Sequence, residues 1–380
     1  MKINLKVIIS VINVLRINLI IAKFKFLNSK NKIIFIYHPS KSLTLNHKDY
    51  LDDLFSEFKE NYLIIYGHQK NKVNEKNYFF INHGFLLGWL FKVDIFLSNN
   101  ICDVFTKNSI KVYMHHDIYD TPLTSEEKQK ELFERVIRYD YLFLPNKKSI
   151  IMFENFLKKN NVNLKCLLPE LLETGYLKLD FLSRKKKLYK DNEKKFIIIA
   201  PTNFMSFPDL AINNYLEPLI ESLINKTKSD IIYRPHPSNR NHPNTIKILK
   251  RFRHNKKFIF DDSVDYFENY IKSYCMITDL SGTAYTYAFF TKQPVIFFSK
   301  NENLIKKLNY DELSYFKDRN EIGVITENVD QIINTLSNIK NVILSKNNSI
   351  KLLEKDMFYS GKAKIRIKSL IYELLIINEK

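Results

Sequence analysis

The chain has 380 residues, 45% of them hydrophobic, 26% charged and 14% aromatic. That is apolar material for two cores of ordinary domain size and too much for a disordered chain. Fifty-nine Lys and Arg against 41 Asp and Glu leave a formal net charge of +18, which draws phosphates, whether of nucleic acid, an anionic membrane surface or a phosphorylated substrate. The three cysteines, Cys102, Cys166 and Cys275, stand far apart with no CxxC; this indicates neither a zinc site nor a disulfide framework, and fits a reducing cytoplasm.

Residues 1–27, MKINLKVIISVINVLRINLIIAKFKFL, are strongly apolar but interrupted by Lys6, Asn13, Arg16, Asn18 and Lys23. No unbroken run reaches the roughly 20 residues a spanning helix needs, and no small-residue cleavage site marks a signal peptide. Two readings stand: an interfacial helix lying on an anionic membrane, or a first helix packed on the following domain.

From residue 33, strand-length runs rich in Ile, Val, Phe and Tyr alternate with helical periodicity: KIIFIYHPS, NYLIIYGHQ, VDIFLSNN, IKVYMHHD and YDYLFLPN. Such runs, each closed by Pro, Asn, Asp or Ser, predict parallel strands buried on both faces. A first α/β domain therefore spans 28–180. The basic run SRKKKLYKDNEKK breaks the pattern and is assigned as a linker, 181–195. Alternation resumes in KFIIIAPT, SDIIYRPHP, KKFIFDDS, YCMITDLSG and QPVIFFS, giving a second α/β domain, 196–345, followed by C-terminal helices, 346–380. Two such domains predict a cleft facing the carboxyl ends of both sheets.

Candidate ligand groups sit at strand ends. In the second half these are Thr202 and Asn203 after IIIAP, Arg234 and His236 in RPHP, and Asp279, Ser281, Gly282 and Thr283 in TDLSGT. The last segment turns from strand into helix, so backbone N–H groups and two hydroxyls gather at a helix N-terminus that favours an anion, and Gly282 lets a phosphate come close. Asp279 or Ser281 as a simple helix cap is the plainer alternative. Arg234 and His236 argue for more, because a cap needs no cationic partner; together the groups describe a pyrophosphate pocket. In the first half, His115, His116, Asp117 and Asp120 follow a strand, and a histidine beside a carboxylate is a candidate general base. His38, His68 and His83 could line the same cleft. Asp261 and Asp262 are assigned to the start of a helix. There is no GxGxxG, no GxxxxGK[ST] and no GxSxG.

Four segments in this order, ETGYLKLDFL, IIIAPTNF, IIYRPHP and DDSVDYFENYIKSYCMITDLSGTAYTYAFFTKQPVIFF, resemble the C-terminal half of the CDP-glycerol glycerophosphotransferases, which polymerise teichoic-acid-type chains. The corresponding family patterns are Gly-Tyr-Pro-Arg-x-Asp, Ala-Pro-Thr, Arg-x-His-Pro and Thr-Asp-Tyr-Ser-Ser, and the likeness covers about 174–299. It implies an α/β GT-B-like architecture: two Rossmann-like domains facing a central cleft, C-terminal helices crossing back, a donor nucleotide on the C-terminal domain, and neither metal nor other cofactor. It implies Arg234 and His236 at the donor pyrophosphate, Ser281 and Thr283 at its oxygens, and Thr202 and Asn203 nearby. His116, with His115 as the other candidate, matches the family's His-Gly turn and would be the base, although Asp117 stands where glycine is usual. Leu177, Leu280 and Gly282 are further departures.

The implied activity is transfer of a glycerophosphate, or a related alditol phosphate, from a CDP-activated donor to a hydroxyl of a lipid-linked or polysaccharide acceptor, with release of CMP. A GT-B glycosyltransferase using a nucleotide sugar is the alternative. The expected setting is the cytoplasmic, inner face of the cell membrane, with the protein peripheral on an anionic surface. Nucleic acid is not an expected partner, since the basic residues are dispersed and no zinc finger, RNA-recognition or helix-turn-helix signature occurs.

Overall fold

A computed structural model describes residues 5–38, 44–58, 60–69, 77–81, 83–119, 126–162, 166–189, 194–205, 207–263 and 265–377. The chain divides into two compact units. The first comprises Met1–His116, Pro122–Asp180 and Phe358–Lys380; the second comprises Asp117–Thr121 and Phe181–Met357. Asp120 lies outside the described residues.

In the first unit the described strands are β1 (Lys32–His38), β2 (Tyr62–His68), β3 (Tyr78–Phe80), β4 (Ile95–Ser98), β5 (Ile110–Met114), β6 (Tyr141–Leu144) and β7 (Glu170–Glu173). They form one parallel sheet in the order β3-β2-β1-β4-β5-β6-β7. The order reverses between β1 and β4, which makes that junction the switch point of the sheet. Ile33, Phe35, Tyr37, Ile65, Phe96 and Tyr113 fill its core, as expected for strands covered on both faces. The tail returns to this unit through Ala363–Ile377. Gly175 sits at φ +79°, and a Cβ there would collide with the Phe358 carbonyl; only glycine suits such a place. Asp180 then accepts the N–H groups of Gly361 (2.8 Å) and Ala363 (2.7 Å), capping the approach of the last helix.

The first helix is Leu5–Leu27, and an 18-residue window of it has mean hydropathy 2.0, long and apolar enough by length and composition alone to cross a membrane, although Asn13, Arg16, Asn18 and Lys23 interrupt the run. Val14, Ile17 and Ile21 are buried in the unit's core. The amides that break the apolar run fasten the helix down. Asn13 Nδ2 donates to the Phe80 carbonyl and Asn18 Nδ2 to that of Trp89, both at 2.9 Å, while Asn18 Oδ1 accepts the Phe91 N–H. The opposite face is exposed, with Leu19 at 71% and Phe26 at 91%, and beside it stand the exposed rings of Phe85, Trp89 and Phe91.

In the second unit β8 (Phe196–Ile199), β9 (Asp230–Tyr233), β10 (Phe258–Phe260), β11 (Ser273–Thr278), β12 (Val295–Phe298) and β13 (Gly323–Thr326) form a second parallel sheet, ordered β10-β9-β8-β11-β12-β13. Its core gathers Ile197, Ile199, Ile231, Tyr233, Cys275, Ile277 and Ile296 with helix residues Leu216, Leu219 and Leu223. Tyr119 pins the Asp117–Thr121 excursion: its hydroxyl donates to Asp318 at 2.6 Å and its ring meets Tyr285 edge-on at 4.7 Å. The basic run after Phe181 begins inside a helix, Leu177–Lys187.

Candidate active site

The second unit collects its polar groups one step beyond the strand ends, because parallel strands in register carry their trailing residues side by side. Phe260 pairs with Tyr233, so Asp261 follows beside Arg234, and the guanidinium donates to the carboxylate at 2.7 Å. Arg234 also reaches Ser263 Oγ at 3.3 Å and lies over the Tyr266 ring. Burial alone would raise the Asp261 carboxyl; Arg234, Ser263 and Asn269 outweigh it and hold it below the usual carboxylate range. Asp261 therefore starts no helix, since the next one begins at Phe267.

His236 Nδ1 accepts the Ser238 N–H at 3.2 Å. Burial, helped by Arg240, lowers its pKa to about 4. The imidazole is thus neutral near pH 7, and with Nδ1 accepting, its proton sits on Nε2, making that edge a hydrogen-bond donor.

Asp279 departs from the expected phosphate-facing role. It is 1% exposed, and its carboxylate accepts the N–H groups of Thr202 (2.8 Å), Ile212 (2.9 Å) and Leu280 (2.7 Å). Burial raises its pKa against the pull of those bonds. It braces the loop after β8, fixing Thr202, whose carbonyl is held in turn by Asn239 Nδ2 at 2.8 Å. Asn203 Oδ1 accepts the Met205 N–H, closing a turn in the same loop.

The Thr283–Thr291 helix opens at Gly282, which has no side chain to cap it, and the Asp279 carboxylate is taken up by the N–H groups of Thr202, Ile212 and Leu280 rather than by that helix. Ser281, Gly282 and Thr283 are each partly exposed. The Ser281 carbonyl accepts the Tyr315 hydroxyl at 3.2 Å, and Thr283 Oγ1 shares a hydrogen bond with Tyr270 at 2.5 Å. Asp117 brings a carboxylate against Gly282, an arrangement the sequence reading did not anticipate.

In the first unit, the two histidines after β5 differ. His115 is buried, its N–H bound to the Phe143 carbonyl and its ring among Tyr113 and Phe153. His116 is half-exposed; its carbonyl accepts the Tyr176 hydroxyl at 2.9 Å, and its ring meets that of His47 edge-on at 5.7 Å. His47, which sequence reasoning missed, is buried with Nδ1 on the Tyr50 hydroxyl. Burial, then Lys178, His116 and His38, keep it well below the usual histidine range. His38 and His68 end β1 and β2, and His83 precedes a short 3-10 turn. Among the described residues no three His, Cys, Asp or Glu side chains converge as a metal site.

Parallel α/β sheets with polar groups gathered at carboxyl ends define a nucleotide-binding type of α/β protein. The chain belongs to the CDP-glycerol:poly(glycerophosphate) glycerophosphotransferase family, whose model matches residues 97–373. The solved structure of the wall teichoic acid polymerase TagF is 20% identical, with a TM-score of 0.64 over 97% of this chain and 99% of that one. A histidine variant of that polymerase soaked with CDPG gives 0.63 at 20% identity, again over 97% and 99%. The Methanocaldococcus jannaschii UDP-GlcNAc 2-epimerase, in complex with UDP-GlcNAc and UDP, gives 0.55 at 15% identity, over 90% of this chain and 99% of that one. At such identities these likenesses speak for the fold, which is GT-B-like. No curated protein matches the chain in sequence.

Proposed function

We propose that this chain transfers glycerophosphate from CDP-glycerol to a hydroxyl of a surface-polymer acceptor and releases CMP. Family membership over 97–373 supports this reading, and one observation carries the chemistry: His236, held neutral by burial with Nδ1 engaged, presents Nε2–H as a fixed donor beside the strand end. A neutral donor can bind a phosphate oxygen without ever having to lose a proton.

In this reading His116 accepts the proton of the acceptor hydroxyl. That oxygen forms a new bond to the β-phosphorus of CDP-glycerol, the bond from that phosphorus to the bridging oxygen breaks, and CMP departs with the bridging oxygen. His236, Ser281, Thr283 and the N–H groups at the start of the Thr283–Thr291 helix bind the donor phosphates. Arg234, already bonded to Asp261, stiffens the RPHP turn and adds positive potential. His116 is preferred to His115 because it is the more exposed of the two. Thr202 and Asn203 line the neighbouring loop.

The acceptor end of this reaction is lipid-linked and the protein lies on an anionic membrane, using the apolar outer face of Leu5–Leu27 with Phe85, Trp89 and Phe91. The interspersed basic residues Lys6, Arg16 and Lys23 support this.

The test is release of CMP and transfer of label from CDP-glycerol, compared with other CDP-, UDP- and CMP-activated donors, in wild type, His116→Ala and His236→Ala. Turnover of CDP-glycerol that is lost in both variants supports the reading. Turnover of a nucleotide sugar alone would replace it with glycosyl transfer.

A further inference from the structure

Two side chains at the switch point of the first sheet are bonded to each other, and each leaves a polar atom without a partner among the described residues. Tyr37 on β1 pairs with Ser98 on β4, so His38 and Asn99 follow side by side, and His38 Nδ1 meets Asn99 Oδ1 at 3.3 Å. His38 is 1% exposed and Asn99 0%, yet His38 Nε2 and Asn99 Nδ2 have no hydrogen-bond partner. Buried polar atoms left so forfeit the hydrogen bonds they make in water and call for an explanation. The carboxyl side of a switch point is where an open parallel sheet binds its ligand.

We propose that His38 and Asn99 form a subsite for one hydroxyl of the acceptor, the neighbour of the hydroxyl that attacks. The donor and acceptor pattern selects that chemistry. Burial, against the pull of the Asn99 bond, lowers His38 to about 4, so its ring is neutral and carries one proton. If Nδ1–H donates to Asn99 Oδ1, then Nε2 is left an acceptor and Asn99 Nδ2 a donor. If the amide is turned and Nδ1 accepts, then Nε2 is left a donor and the amide oxygen an acceptor. Either way the pair offers one donor and one acceptor, the complement of an alcohol. A phosphate, with acceptors only, would leave one of the two unmatched.

His47 stands beside the proposed base in the same unit, its ring edge-on to that of His116. A terminal glycerol unit has the required form, a vicinal diol in which the primary hydroxyl attacks and the secondary one is held. This inference rests on the transfer reaction proposed above and adds the acceptor end to it.

Two acceptors that differ in one group test it: an oligomer capped by glycerol phosphate, and the same oligomer capped by 3-hydroxypropyl phosphate, which lacks the secondary hydroxyl. Transfer from CDP-glycerol is measured as kcat/KM. Wild type should favour the diol by about tenfold or more, the loss of a buried hydrogen bond. His38→Phe and Asn99→Leu should each bring that ratio close to one. Because the ratio is taken within one sample, a reduced folded fraction cancels, and Asn99→Ser replaces any variant silent with both acceptors. A wild-type ratio near one, or variants that keep the wild-type ratio, overturns the subsite and leaves the pair bound to an internal water. Absence of transfer to either acceptor by the wild type overturns the reaction itself.

Discussion

Gly282 makes room for Asp117: a Cβ built on the glycine would stand 2.7 Å from Asp117 Oδ2. Both residues depart from the family pattern, one carrying a carboxylate where glycine is usual and the other lacking a side chain in the serine-rich segment, and here the two departures meet. Gly282→Ser should destabilise the protein by about 1 kcal/mol, since what must give way is the far end of the Asp117 side chain. Asp117→Gly in the same chain should restore most of that loss. Urea unfolding of the four members of the cycle gives the coupling; strictly additive effects would refute the steric link.

His236 acts in this scheme through an N–H rather than through charge. His236→Gln can keep a donor in the same place and His236→Ala cannot. The glutamine variant should therefore retain activity that the alanine variant loses, by about ten- to a hundredfold in kcat/KM, the range for a hydrogen bond to a charged oxygen. Equal losses in the two variants would argue for a role of the ring itself.

Histidines held neutral by burial make stability fall on the acid side. His38 and His236 titrate near 4 in the fold, and His47 is also well below the usual range, whereas unfolded histidine titrates near 6.5. Between these values the unfolded chain binds protons that the folded chain does not, so stability rises with pH there. The melting temperature should start to fall just below pH 6.5, above the carboxylate range, and His38→Asn should make that fall shallower. A flat profile from pH 7 to 5 would contradict the burial of these rings.

The outer face of the first helix cannot be tested by deletion, because Val14, Ile17 and Ile21 belong to the core. Phe85→Ser, Trp89→Ser and Phe91→Ser together change only exposed rings beside it. Flotation with vesicles of phosphatidylglycerol should drop severalfold in the triple variant and fall with added salt. Undiminished flotation would remove this face from the membrane contact.

What the sequence made legible followed from continuous apolar runs: KIIFIYH, FIII, DIIY and SYCMIT are strands where the pattern placed them. Tyr78–Phe80, Glu170–Glu173 and Gly323–Thr326 escaped it, being three or four residues long and, in the second case, flanked by two glutamates. The histidines and hydroxyls at strand ends were legible as polar clusters, but their partners were not. Arg234 meets Asp261, Thr202 meets Asp279 and His38 meets Asn99 because of strand order and register. Those are properties of the assembled sheet, and no local signal marks them. The same holds for Asp117, whose sequence neighbours place it with the first half while its short segment belongs to the second unit.

The return of Phe358–Lys380 to the first unit has a consequence for the order of assembly. On a ribosome, all residues of the second unit emerge before the last helix of the first. The second unit can therefore finish folding while the first still lacks Ala363–Ile377 and the backbone donors that Asp180 accepts. The half proposed to hold the activated donor therefore has its whole sequence made before the half proposed to hold the acceptor.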